Sequence, residues 1–189
     1  MSHSDITIIY FVGPSNSGKT TTIEKIIQSL QDEGIKCGTI KFIHHPTLTL
    51  DPAGKDSSRH RSAGALFTLN FAPKETAVII KRDKRETIDN AKTIISSSGG
   101  ILPDVDIILC ESLNHPPPKS FVFLSANSFD EVDKYYKKLI NCTVLGIVGT
   151  ITNNKENNFK YKTFPFYSAL VKQDLLESVS VIKKVGLAQ

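Results

Sequence analysis

The run Gly13-Pro14-Ser15-Asn16-Ser17-Gly18-Lys19-Thr20 stands directly behind an almost continuously apolar segment, Ile6-Thr7-Ile8-Ile9-Tyr10-Phe11-Val12. A segment so rich in β-branched and aromatic residues reads as a strand covered on both faces. Glycines at 13 and 18 let the backbone curl so that successive N–H groups point into one concavity. The residues that follow must then open a helix whose positive end faces the same hollow. Strand, glycine loop and helix in that order commit the chain to a layered α/β arrangement and make the loop a cradle for an anion.

The remaining pattern continues this alternation. Ile23, Ile26, Ile27 and Leu30 recur at helical spacing, and Gly34 stands where that helix would stop. Residues 35–43 hold a second strand, and residues 47–50 read as a short strand or hairpin arm. A short helix starts at Asp56-Ser57-Ser58, with an acidic or hydroxyl cap before it and Gly64 near its end. Residues 66–71 and 76–81 are strand candidates, 87–95 a helix, and 105–110 a buried strand. Past the stiff turn Pro116-Pro117-Pro118, residues 121–124 resume extended structure. Ser128 and Glu131 form a capping box for a helix over 128–139, residues 144–148 are a late core strand, and 171–185 a closing helix. Residues 150–163, with four asparagines and four charged residues, read as an exposed loop. Alternation of this kind predicts α/β, a doubly wound, mostly parallel sheet of the P-loop NTPase type. The 189 residues, 40% of them hydrophobic, suit a single domain with one core.

Glycine, four residues, then Gly18-Lys19-Thr20 is the Walker A pattern in its proper setting between strand and helix. Lys19 would bridge the β and γ phosphates, and the Thr20 hydroxyl would ligate Mg²⁺. Such an ion needs an acidic partner, and the strand 105–110 with the residue after it offers Asp106 and Glu111. Five residues of strand separate these by roughly 16 Å, so both cannot serve one ion. Ligands of open α/β sheets bind at the carboxyl ends of strands, which selects Glu111 and leaves Asp106 a structural role. Lys41-Phe42-Ile43-His44-His45 also emerges at a strand end; its histidine pair fits loop packing better than a zinc site, because no nearby cysteine or carboxylate completes one. Asp51 and Gly54-Lys55-Asp56-Ser57 read either as a switch that senses γ-phosphate or Mg²⁺, or as a plain capped turn.

Charge and cysteines narrow the setting. A net charge of +4 suits small anions, and the absence of a dense Lys/Arg stripe argues against nucleic acid. No apolar stretch approaches the roughly 18 residues a membrane span needs, and residues 1–5 do not look like a secretory signal. Cys37, Cys110 and Cys142 are scattered, which fits small buried hydrophobes in a reducing compartment; the expected location is cytoplasmic.

Taken together, Gly13 to Thr20, Lys41 to His45, Gly54-Lys55-Asp56-Ser57, Arg61 with Ala63-Gly64-Ala65, and Asp106 to Glu111 resemble the MobB family, molybdopterin-guanine dinucleotide biosynthesis protein B. The Gly-Lys-Asp-Ser element followed by Arg and Ala-Gly-Ala is the specific part, since many NTPases share the Walker A pattern. The resemblance implies a homodimeric GTP-binding adaptor with slow Mg²⁺-dependent GTPase activity. It would assist a partner molybdopterin nucleotidyltransferase in attaching GMP to molybdopterin. By the same match Gly13, Pro14, Ser15, Asn16, Ser17, Gly18, Lys19, Thr20 and Thr21 would bind the nucleotide, and Thr20 and Glu111 would hold Mg²⁺. Lys19 and Asp56 would be catalytic, and Lys41, His44, His45, Asp51 and Lys55 would supply substrate or switch contacts. Two positions depart from the family pattern: Phe42 replaces a histidine, and Glu111-Ser112-Leu113-Asn114 replaces Glu-Gly-aromatic-Lys. Thr152-Asn153-Asn154-Lys155 is a weak stand-in for a guanine-reading motif.

Two other functions share the phosphate loop. A small-molecule kinase would want an arginine-bearing lid; residues 150–163 carry lysines but no arginine, leaving Arg59, Arg61, Arg82 and Arg85 for that role. A metal-delivery GTPase would use His44 and His45, without the longer histidine or cysteine tracts such proteins often carry.

Overall fold

The computed structural model describes residues 6–44, 48–80, 87–153 and 163–187. It divides into two compact units, Met1–Phe42 with Lys92–Gln189, and Ile43–Ala91.

In the larger unit five parallel strands form one sheet: β1 (Thr7–Val12), β2 (Cys37–Lys41), β5 (Ile107–Glu111), β6 (Phe121–Ser125) and β7 (Thr143–Val148). Their order is β2-β5-β1-β6-β7. Parallel neighbours need long crossovers, which α1 (Lys19–Asp32) and α4 (Phe129–Tyr136) help supply, while α5 (Lys172–Gly186) follows the last strand and packs against α1 and β1. β1 is central, so its carboxyl end is flanked by those of β5 and β6, and a ligand there would meet residues from three strands. The core is built on that strand. Ile9 and Phe11 are fully buried among Ile26 and Leu30 of α1, Leu109 of β5, Phe123 of β6 and Ile182 of α5. Phe11 and Phe123 stack with ring centroids 5.2 Å apart. Burying one such side chain stabilises by about 1.5–3 kcal/mol, so β1 is held firmly just before the glycine loop.

Local signals explain most boundaries. α1 ends where the Gly34 and Ile35 N–H groups bond the Gln31 and Leu30 carbonyls at 2.9 and 3.0 Å, with Ile35 packed on the cluster that holds Leu30. At α4 the Ser128 hydroxyl accepts from the Glu131 N–H; the Glu131 carboxylate accepts from the Asn127 N–H at 2.7 Å, one residue earlier than the expected box. That helix stops at Tyr136 instead of 139. Residues 150–163 begin differently from the exposed loop expected. Thr150–Asn153 form a 3₁₀ turn with Ile151 and Thr152 buried, because the Ile151 N–H bonds the Ala126 carbonyl and ties the segment to the end of β6. Residues 154–162, including Asn154 and Lys155, lie outside the described residues.

The smaller unit holds α2 (Asp56–Ser62) and the antiparallel pair β3 (Phe67–Phe71) and β4 (Thr76–Ile80); α3 (Ile88–Ser96) follows in sequence. The strands at 66–71 and 76–81 therefore exist but form a two-stranded sheet of their own. Residues 48–50 are not a strand: the Thr49 hydroxyl bonds the Asp51 backbone, offering the chain a local turn instead of a ladder. The N-cap of α2 is Lys55 and carries no side-chain cap; Asp56 sits inside the first turn.

Among the described residues no helix is long and apolar enough to cross a membrane. Cys110 is buried in β5, while Cys37 and Cys142 are half-buried; all three are free thiols. Burial pushes the Cys110 thiol up to about 12 and Cys37 up to about 11, so both stay protonated near neutrality.

Candidate nucleotide site

The loop Gly13–Gly18 leaves β1 between the ends of β5 and β6 and hands over to α1. Its shape is set by close backbone contacts. A Cβ at Gly13 would stand 1.9 Å from the Ser125 carbonyl oxygen, and a Cβ at Gly149 would stand 2.2 Å from that of Ser17. Gly149 also has φ 96°, so two separate constraints demand glycine there. Ser17 Oγ lies 2.9 Å from both the Pro14 carbonyl oxygen and Ser125 Oγ, and Ser125 donates to the Ser17 carbonyl at 2.9 Å. The Thr150 N–H donates to the same carbonyl at 3.2 Å. The ends of β6 and β7 thus clamp the far side of the loop.

Gly18 caps α1 in the left-handed conformation (φ 87°), without a side-chain bond and with no acidic residue in the first turn. A fourteen-residue helix therefore presents an uncapped positive end at the loop. Lys19 is 5% exposed and folds its ammonium back to donate to the carbonyls of Gly13, at 3.1 Å, and Pro14. Its burial holds the ammonium below the usual lysine range; the nearby Glu111 carboxylate raises it and the Lys41 ammonium lowers it. Among the described residues this buried cation donates to two neutral carbonyls, and a phosphate would supply it a charged acceptor.

Thr20 and Glu111 meet. The hydroxyl donates to Oε1 of the carboxylate at 2.8 Å, and Oε2 lies 3.3 Å from Lys41 Nζ. Two oxygens ligating Mg²⁺ at adjacent octahedral positions lie about 2.9 Å apart, so this hard oxygen pair fits one edge of such an ion. Asp106, in contrast, accepts from the Lys36 N–H at 2.7 Å at the opposite end of the strand, a structural task.

The other expected residues fall in the smaller unit. Asp51 is buried, receiving bonds from Arg61 Nη2 at 2.7 Å and Ser57 Oγ at 2.9 Å, which pins the chain ahead of α2 to that helix. Asp56 is exposed and lies 3.5 Å from Arg59 Nη1. Lys55 and His44 are exposed, and His45, Arg82 and Arg85 lie outside the described residues. The sequence reading missed Ser125, Gly149 and Thr150, which brace the loop across more than a hundred residues. The available signal was a small or polar residue closing each apolar strand, Phe121–Ser125 and Thr143–Val148 with Gly149 after it.

Similarity to known proteins agrees with this geometry. The family model for Molybdopterin guanine dinucleotide synthesis protein B matches residues 8–141. The chain is 33% identical over 110 residues to the molybdopterin-guanine dinucleotide biosynthesis adapter protein of Escherichia coli, covering 58% of this chain and 61% of that protein. It is 29% identical over 166 residues to the probable adapter protein of Bacillus subtilis, covering 86% and 85%. The match to the Escherichia coli relative thus spans about three fifths of that protein's length. The fold is shared with the crystal structure of Bacillus subtilis MobB, at TM-score 0.69 and 20% identity over 93% of this chain and 97% of that one. It is likewise shared with a MobB homolog from Bacillus stearothermophilus, at TM-score 0.64 and 18% identity over 96% and 99%.

Proposed function

This chain belongs to the family of molybdopterin guanine dinucleotide synthesis protein B, and from that premise we propose that it is a GTP-binding adaptor acting in the cytoplasm. In this reading it holds Mg²⁺–GTP at the loop after β1, hydrolyses it slowly, and assists a molybdopterin nucleotidyltransferase in attaching GMP to molybdopterin. The observation that carries the proposal is the convergence of the Thr20 hydroxyl and the Glu111 carboxylate beside the buried Lys19. Those three groups, with the open end of α1, form a polyphosphate cradle with an edge for a divalent ion. Mg²⁺ would screen phosphate charge there, Thr20 and Glu111 would hold it, and Lys19 would leave its carbonyls for the phosphate chain.

A homodimer is part of the proposal. In the β3–β4 pair Phe67 stands opposite Ile80 and Leu69 opposite Val78, and these four with Phe71 lie on one face, each 44% or more exposed. An isolated two-stranded sheet is marginal in water, and an exposed apolar face of this kind is what a second copy would cover.

A kinase gains no support from the described arginines, since Arg61 is tied to Asp51 and Arg59 to Asp56. Titrating the purified protein with GTP and ATP, each with and without Mg²⁺, tests the reading. The expected result is saturable Mg²⁺–GTP binding tighter than that of ATP, with slow hydrolysis in the absence of any acceptor. Rapid phosphoryl transfer to a small alcohol or nucleoside would sink it.

A further inference from the structure

Lys41 closes β2 and Glu111 closes β5, and the two are partners across the parallel ladder. The Phe42 N–H donates to the Glu111 carbonyl at 3.1 Å, so the backbones are fixed to one another at this point. Among the described residues the Glu111 carboxylate meets the Thr20 hydroxyl at Oε1 and the Lys41 ammonium at Oε2. The Glu111 side chain is 12% exposed and that of Lys41 is 55% exposed. The carboxylate is therefore held in place, whereas the ammonium sits on a flexible, half-solvated stem that can let go.

Charge gives this pair its meaning. Lys19 and Lys41 are both close enough to the Glu111 carboxylate to share its field beside an uncapped helix end, with Glu131 a weaker second carboxylate neighbour of Lys19. A dication on the Thr20 and Glu111 oxygens would claim the same carboxylate charge that Lys41 now neutralises. The ion's edge uses Oε1 while Lys41 rests on Oε2, so two cations would divide the single charge of one carboxylate, and their repulsion loosens the half-exposed ammonium as the ion enters. The incoming polyphosphate is then the closest concentration of negative charge.

We propose that Lys41 is the resident counter-ion of Glu111 in the nucleotide-free protein and is released to the phosphate chain when Mg²⁺ takes over the carboxylate. The inference rests on the reading of this site as a Mg²⁺–triphosphate cradle and names the residue that regulates ion entry to it. Lys41 has two opposed effects: it competes with Mg²⁺ for Glu111, and while Mg²⁺ is scarce it neutralises a carboxylate that would otherwise repel the phosphates. A lysine that merely holds the strand end would move both properties in the same direction or neither.

The test is direct titration of GTP binding, in EDTA and over a Mg²⁺ series, for the unaltered protein, Lys41→Met, Lys41→Arg and Lys19→Ala. In EDTA, Lys41→Met is expected to bind GTP about tenfold more weakly, because the Glu111 carboxylate, stripped of its counter-ion, then faces the phosphates. The Mg²⁺ concentration giving half-maximal enhancement is expected to fall about threefold, the scale of a half-exposed ion pair. Lys41→Arg keeps the charge and is expected to return both values toward those of the unaltered protein. Lys41→Met with unaltered affinity in EDTA, or with an unchanged or higher Mg²⁺ midpoint, overturns the inference while Lys19→Ala still reports on the cradle. No GTP binding by the unaltered protein in either condition overturns the cradle itself, and the counter-ion role with it.

Discussion

Lys19 and Ser112 carry the two sharpest consequences at the residue scale. The Lys19 ammonium is buried against the carbonyls of Gly13 and Pro14, so exchanging them for phosphate oxygens replaces two neutral acceptors by charged ones. Lys19→Ala is expected to cost about 2 kcal/mol or more of triphosphate binding, roughly thirtyfold in affinity. Calorimetric titration with GTP measures this directly, and an unchanged affinity would remove Lys19 from the site. Ser112 follows the Glu111 carboxylate and adopts φ 69°, a left-handed conformation that penalises any residue with a Cβ. Relief of that strain exceeds the added chain entropy of glycine, so Ser112→Gly is expected to stabilise the fold by about 0.5 kcal/mol. Chemical denaturation reads the change; a loss of stability would mean that the serine side chain secures the turn. The sequence alone singles out position 112 as a departure from glycine, but its backbone angle is a property of the folded chain.

Among the elements, the strand ends matter more than the helices. The glycine loop keeps its shape because β6 and β7 finish beside it, with Ser125 and Thr150 both donating to the Ser17 carbonyl. Gly149 lets those segments approach, since a Cβ there would meet Ser17, Ser125 and Ala126 within 3.0 Å. Gly149→Ala is expected to cost about 3 kcal/mol, from a positive φ added to a backbone collision. Because the colliding oxygen belongs to the loop, GTP affinity is expected to fall along with the melting temperature. A variant that melts early yet binds GTP normally would show that the bracing is separable from the cradle. β2 and β5 act in the same way on the other flank, where their ladder sets Lys41 opposite Glu111. The core-facing spacing of Ile23, Ile26 and Leu30 was legible beforehand because helical periodicity is a local signal. The brace was not, because it joins residues more than a hundred positions apart.

For the molecule as a whole, the proposed homodimer assigns its interface to the apolar face of the β3–β4 pair. Leu69 and Val78 stand opposite one another on it, 51% and 49% exposed. Leu69→Lys with Val78→Lys is expected to weaken self-association at least about a hundredfold, because each copy loses buried apolar surface and gains an unpaired charge. Sedimentation equilibrium distinguishes the outcomes, and a dimer unaffected by both changes would place the interface elsewhere. The sequence by itself determined the order of strands and helices apart from the arm expected at 47–50, the loop from Gly13 to Thr20 as an anion cradle, and Glu111 over Asp106 as the carboxylate that faces it. Those are consequences of side-chain periodicity, glycine spacing and the direction of a strand, all of which act over a few residues. Only the tertiary structure decided that β3 and β4 form a sheet of their own and that Asp51 is tied to Arg61. It alone showed Lys41 resting on the same carboxylate as Thr20, since pairing partners and counter-ions are chosen by long-range packing and Coulomb contact once the local elements have formed.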